Sequence, residues 1–215
     1  MGEPVDAPAS TPGGYWDDYY AHSTGPSLPS QFATFVAGEL EEPHRIVEFG
    51  CGNGRDALFF ATQGHEVVGI DASGPAIERC TERAAQLGLA ATFRSARVDD
   101  RGLAERVGGA RRPSLVYARF FLHAVTDQEQ QAFFECARGL SVPGDQMAVE
   151  FRTTRDRTGP KVTGRHFRRF IDPVSFQLDA VGHGFRTTYA VEGFGFAKFR
   201  QDDAHVARCL LVRQG

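Results

Sequence analysis

From His44 onward the apolar positions switch repeatedly between two spacings, and the switching predicts the architecture. The short runs RIVEF (45–49), EVVGI (66–70) and SLVYA (114–118) are almost continuously apolar, as strands are when helices cover both faces of a parallel sheet. Further strands are predicted at 91–95 and 146–151, and two more, 185–191 and 205–212, are joined by GFGFAKFRQDD as a terminal hairpin. Helices lie between them. Ser73-Gly74-Pro75 opens one, Ile77, Cys80, Ala84 and Leu87 form its inward stripe, and Gly88 ends it. Thr126 and Glu129 read as a capping box before Phe133, Phe134 and Ala137, with a stop at Gly139. Asp172-Pro173 opens a third helix with Phe176, Leu178 and Val181 inward, closed by Gly182 and Gly184. Alternating strands and helices make a layered α/β domain.

The 215 residues, 41% apolar and 24% charged, suffice for one core. Pro4, Pro8, Pro12, Gly13 and Gly14 mark residues 1–14 as a disordered leader, which leaves 15–215 as a single domain. Within it, Tyr15, Trp16, Tyr19 and Tyr20 fall at i, i+1, i+4 and i+5, an aromatic stripe on a short helix. Such a helix, within an N-terminal helical segment over 15–40, serves equally as a pin on the core or as a lid over a pocket. Cys51, Cys80, Cys136 and Cys209 show neither CxxC nor paired zinc-ligand spacing, which argues against a disulfide scaffold or a bound metal and for a reducing cytoplasm. No apolar run approaches the roughly 20 residues of a membrane helix, and the N-terminus lacks the basic start and apolar core of a secretion signal.

Net charge is −3, a poor basis for nucleic-acid affinity over the whole surface. The average hides a local surplus. From Arg152 to Phe170, seven basic residues face one acid, Asp156, so this stretch carries 7 − 1 = +6 and the remainder −9. Arginine dominates it, and the planar arginine fork matches carboxylate or phosphate in two-point contact. Arg152, Arg168 and Arg169 are therefore candidate contacts to an anionic substrate, in a basic segment spanning 152–171 that sits beside the substrate.

The chemistry concentrates in IVEFGCGNGRDALFF, residues 46–60. A strand leads into Gly50-Cys51-Gly52-Asn53-Gly54 and a helix beginning near Arg55, and alternate glycines let a ligand approach bare backbone. Asp71 then ends the next strand, where its carboxylate can take both hydroxyls of a ribose. A dinucleotide loop, G-x-G-x-x-G, requires glycine at 55, where this chain has Arg55, and Glu48 two residues before the loop suits a cation better than a diphosphate. The bare alternative is a tight turn with no ligand.

With Glu48, Gly50, Gly52, Gly54 and Asp71 in this spacing, the chain resembles the class I S-adenosylmethionine-dependent methyltransferases, and within them the small-molecule enzymes of thiopurine or tellurite-resistance type. The resemblance implies a Rossmann-like three-layer sandwich around a seven-stranded, mostly parallel sheet with an antiparallel C-terminal strand. It implies S-adenosylmethionine as cofactor, held by Glu48, Gly50, Cys51, Gly52, Asn53, Gly54, Arg55, Asp71 and Ala72. Where the family has an acid for the adenine amine this chain has Arg97, so either Asp99 or Asp100 replaces it or backbone around Ala96, Arg97 and Val98 serves. The segment YARFFLHAV brings Tyr117, Ala118, Arg119 and His123 beside the methyl donor, and Trp16 and Tyr19 offer aromatic faces to its sulfonium. His123 is the leading base, ahead of Tyr19, Tyr20 and His166, and Tyr15 and Arg119 join the substrate contacts.

The expected partner is a small, anionic acceptor bound by a monomer or homodimer. An NAD(P)-dependent oxidoreductase, an RNA methyltransferase and a cofactor-binding protein without catalysis are the alternatives.

Overall fold

The computed structural model describes residues 28–111, 113–158, 167–199 and 201–215. The expected stripe at 15–20, the leader and His166 lie outside these residues. The elements run α1 (Gln31–Gly38), β1 (Arg45–Phe49), α2 (Arg55–Thr62), β2 (Glu66–Asp71), α3 (Gly74–Leu87), β3 (Ala91–Ser95), α4 (Leu103–Arg106), β4 (Ser114–Arg119), α5 (Asp127–Leu140), β5 (Gln146–Arg152), α6 (Pro173–Gly182), β6 (Phe185–Gly193) and β7 (Val206–Arg213). Single 3-10 turns follow β4 at Leu122–Ala124 and β5 at Thr154–Asp156.

All seven strands share one sheet in the order β3-β2-β1-β4-β5-β7-β6. Strands β1 to β5 pair in parallel, and β7 enters antiparallel between β5 and β6. The carboxyl ends of β1, β2, β4 and β5 therefore meet along one edge, where ligands bind in open α/β sheets. Apolar residues alternate between two layers. Val47, Phe49, Val116, Ala118, Val149 and Phe151 face Phe133, Phe134 and Phe176 of α5 and α6. Ile46, Val67, Leu115, Tyr117 and Ala148 face Phe32 and Val36 of α1 and Ala57 and Phe60 of α2. This is the expected three-layer sandwich with its mixed sheet. No helix among the described residues is long and apolar enough to cross a membrane.

The caps act as their residue types dictate. Ser73 accepts from Ala76 N with proline in the first turn, Gly88 closes α3 at φ 62°, and Thr126 and Glu129 form a reciprocal capping box. Three expectations about the helices need correction. Leu87 is 55% exposed, because Ala76, Ile77, Cys80 and Ala84 already complete the buried stripe of α3. Leu178 and Val181 are 67% and 61% exposed. Phe176 docks between Phe134 and Phe151, at ring distances of 5.4 and 4.8 Å, and with Ala180 sets the inward face, which turns Leu178, two residues on, to the far side. Gly139 does not stop its helix, which continues to Leu140.

The reason for Gly139 is proximity. A Cβ there would stand 2.8 Å from Ala104 Cβ of α4, so the glycine lets the two helices touch. Helix propensity alone makes Gly139→Ala stabilising by about 1 kcal/mol. Overpacking at this contact reverses the sign, and we expect a net loss of about 1–3 kcal/mol, read as a lower denaturant midpoint with unchanged slope. A raised midpoint would contradict this packing.

Candidate active site

At the end of β1 the chain turns through Gly50 and Gly54, both left-handed at φ 69° and 72°. A Cβ at Gly50 would lie 2.8 Å from the Phe121 ring and one at Gly54 2.7 Å from Cys80 Sγ, so neither position accepts a side chain. The amides of Gly50 and Cys51 both donate to Ile70 O, at 2.8 and 3.1 Å, which ties the loop to β2. Asp71 completes the tie: its two carboxylate oxygens accept from Gly52 N and Ser73 N, both at 2.9 Å. Cys80 Sγ donates to Gly52 O at 3.3 Å, and a bond to Cys80 followed by burial pushes the Cys51 thiol well above its ordinary range. The Cys51 sulfur is a packing group and not a thiolate. Asn53 and Arg55 are half-buried in the loop and first turn, and Ala72 is exposed just past Asp71.

Glu48 lies buried beneath this loop, and its Oε2 has no hydrogen-bond partner among the described residues. Burial first, then the neighbouring Asp56 carboxylate, raise its pKa well above the usual glutamate value, with Arg55 opposing. Asp56 is itself ringed by donors: Ser30 N at 2.8 Å, Ser30 Oγ at 2.7 Å and Tyr117 Oη at 2.9 Å. Burial, with Asp56 and Glu48 next, likewise lifts the Tyr117 phenol, which stays a donor. The crevice at β1 and β2 is acidic, with one acid unpartnered.

The side toward β4 and β5 is basic. Arg119, Glu150 and Arg208 occupy one register row across β4, β5 and β7, and both arginines bind the fully buried Glu150, Arg119 Nε to Oε1 at 2.8 Å and Arg208 Nε to Oε2 at 2.7 Å. Arg119 thus pairs with Glu150. Phe120, next in the chain, has φ 56°, rare for a side chain of its size, and carries the Arg119 guanidinium 4.3 Å above its ring. Sequence reading missed Asp56, Glu150 and Arg208. An acid inside the apolar run MAVEFR was the available signal for Glu150, and it matches the one that singled out Glu48.

The remaining candidates scatter. Ala118 is fully buried at the edge. Ala96 N donates to Asp71 O, Val98 packs into the core, and Arg97 turns its side chain to Asp99 and Glu129. His123 is buried, with Nδ1 accepting from Arg152 N at 3.3 Å. Arg152 departs from a substrate contact: its fork is clamped by Asp156 and Asp202 at 2.5 and 2.7 Å, while Asp156 also accepts from His205 N. Arg169 bonds Asp127, Gln130 Oε1 and Leu122 O, and Arg168 is half-buried beside it. Much of the basic surplus is spent on fold contacts. Among the described residues no group of three or more His, Cys, Asp or Glu is placed to hold a metal ion.

A family model described as a methyltransferase domain matches residues 46–144, which run from β1 beyond α5. The comparison with curated proteins gives no match. Among solved structures, the fold is similar to the CcbJ methyltransferase from Streptomyces caelestis, at 21% identity over 95% of this chain and 100% of that one, with a TM-score of 0.72. It is similar to the 1,6-didemethyltoxoflavin N1-methyltransferase of Burkholderia thailandensis, bound to 1,6-didemethyltoxoflavin and S-adenosylhomocysteine, at 17% identity over 99% and 94%, TM-score 0.68. A TehB-like S-adenosylmethionine-dependent methyltransferase from Corynebacterium glutamicum follows at 14% identity over 93% and 94%, TM-score 0.66.

Glu48 makes stability depend on pH in a defined direction. A carboxyl whose folded pKa is raised contributes fully below the ordinary glutamate range and loses that contribution as pH climbs through the folded value. Thermal melts of the ligand-free chain from about pH 4 to about pH 8 are expected to show the wild type losing stability that Glu48→Gln retains, the gap widening upward. Parallel melting curves would count against the assignment.

Proposed function

We propose that the chain, whose residues 46–144 match a methyltransferase-domain model, is a class I S-adenosylmethionine-dependent methyltransferase that methylates a small molecule bearing an anionic group, with the cofactor held by Glu48, the loop 50–54 and Asp71. The residues fit the cofactor on two counts: an unpartnered buried carboxyl suits a cation, and the loop is one that a Cβ would fill. Bound there, S-adenosylmethionine supplies an electrophilic methyl on a positively charged sulfur. Glu48 faces that cation and yields its proton as the positive charge arrives. Asp71 takes the ribose hydroxyls, since each carboxylate oxygen accepts more than one hydrogen bond. Peptide groups of Ala96 to Val98 take the adenine, because the Arg97 side chain is engaged elsewhere.

For the transfer itself, the chain's contribution is alignment. Holding acceptor and methyl in line removes most of the entropic barrier, and a base is needed only where the acceptor atom keeps a proton. The neighbour bound to 1,6-didemethyltoxoflavin supports an acceptor of metabolite size. Against a phosphate backbone as partner stands the pairing of Arg152, Arg155 and Arg169 with carboxylates.

The observation that carries the reading is the buried Glu48 Oε2, unpartnered among the described residues beneath the glycine loop. Calorimetry with S-adenosylmethionine, S-adenosylhomocysteine and NAD in parallel is expected to show binding of the first two alone. In buffers of different ionisation enthalpy, binding of S-adenosylmethionine should release a proton, and affinity should rise with pH. Glu48→Gln should abolish the release and weaken binding by roughly tenfold or more. Tighter binding of NAD would overturn the reading.

A further inference from the structure

Beside the cofactor crevice, the row Arg119–Glu150–Arg208 is out of charge balance. Two guanidiniums share one carboxylate, and the three side chains are only 15%, 0% and 8% exposed. Each Glu150 oxygen is taken by one arginine. Arg208 spends Nη2 on Phe196 O and lies over the Phe196 and Phe32 rings, which locks it in place. Arg119 is different. Its Nε is used, but its two terminal nitrogens make no hydrogen bond to any described residue. Asp56 also acts on Arg119, yet it is already ringed by Ser30, Tyr117 and Arg55. Glu48 on the same face holds its proton far above the usual range and cancels nothing.

A surplus positive charge at this depth is costly until an anion meets it. The fork is also held in one aim. Glu150 fixes Nε from β5, and the Phe120 ring, carried on a left-handed residue, supports the guanidinium plane. Backbone strain kept at a ligand edge, under an arginine with an unspent fork, is the arrangement of a recognition residue. From the methyltransferase reading, on which this rests, we infer that Arg119 is the specificity-determining residue for the acceptor and that its terminal fork binds one carboxylate of that molecule. One carboxylate cancels the surplus of one, whereas a phosphate group carries about 1.5 to 2 charges and overshoots it. The Phe120 and Phe196 rings beside the two guanidiniums suit an apolar, flat body on that acid.

Calorimetry on the full chain saturated with S-adenosylhomocysteine tests this, with benzoate, phenylacetate and 3-phenylpropanoate as probes, benzamide as the neutral analogue and phenyl phosphate as the dianion. At least one carboxylate is expected to bind, with benzamide and phenyl phosphate weaker by roughly tenfold or more. Arg119→Lys, which keeps the charge and loses the fork, should weaken the carboxylate by roughly tenfold, and Arg119→Gln by more. S-adenosylhomocysteine affinity in both variants should stay within about twofold of wild type, which also reports that they fold. The inference is overturned if a chain that binds S-adenosylhomocysteine ignores all three acids, if benzamide or phenyl phosphate matches them, or if Arg119→Lys keeps their affinity. It is overturned too if Arg119→Lys loses S-adenosylhomocysteine while keeping 5′-methylthioadenosine, since the fork then belongs to the cofactor's own carboxylate. A wild-type chain that binds no S-adenosylhomocysteine fails the methyltransferase reading itself, a separate result.

Discussion

Glu48 sits in the middle of a fully buried strand, under a loop whose glycines admit no side chain, with its Oε2 unmatched by any donor. Burying an unmatched carboxyl costs free energy that a folded domain of marginal stability can ill spare. The surroundings reduce that cost without removing it: burial first and the Asp56 carboxylate next keep Glu48 protonated, and Asp56 is held in place by hydrogen bonds from Ser30 and Tyr117 and an ion pair with Arg55. The site is therefore built in layers. Donors serve Asp56, Asp56 governs Glu48, and Glu48 is left facing the crevice. Helix α1 owes its position to the same group, since its N-cap Ser30 donates to Asp56 through both backbone and side chain.

On the other side of the crevice the sign reverses and the logic repeats. Glu150 is the fully buried centre, two arginines are its donors, and the surplus faces outward through Arg119. The parallel sheet makes both halves possible at once. In register, Glu48 stands opposite Tyr117 on β4 while Arg119, one pleat further, stands opposite Glu150 on β5, so an acid-rich and an arginine-rich patch share one face and one edge. Arg152, one pleat beyond Glu150, is tied instead to Asp156 and Asp202, which pins the turn after β5 and the approach to β7 and so closes the basic patch at its far end.

The fold was legible in the sequence because its strands carry their signal locally. RIVEF and ATFRS fall within the observed bounds to the residue, and the capping box at Thr126 is formed as read. The errors arise where a partner distant in sequence decides. Gly139 reads as a stop until Ala104 is seen against it, and Leu178 reads as core until Phe134 and Phe151 claim Phe176. The site divides the same way. The glycine turn and the acid ending the next strand were visible because a strand-turn-helix junction is a contiguous pattern. The fates of Arg119, Arg152 and Arg169 were not, since each is settled by an acid or amide 31, 50 and 42 residues away or within a turn formed only on folding.

That division explains why the basic island misleads. Counted along the chain, seven cations against one acid look like a surface for anions, but charge along a chain is not charge in space. Folding brings Asp202, Glu192 and Asp127 onto Arg152, Arg155 and Arg169, and the apparent surplus falls. A surplus survives where the fold itself withholds the second acid. At Glu150 the register row supplies two arginines and one carboxylate, and Phe120 occupies the place beside Arg119 with an aromatic face. An aromatic face attracts a cation without neutralising it. The edge of the sheet thereby keeps one positive charge in partial shelter, on the same face as the Glu48 carboxyl.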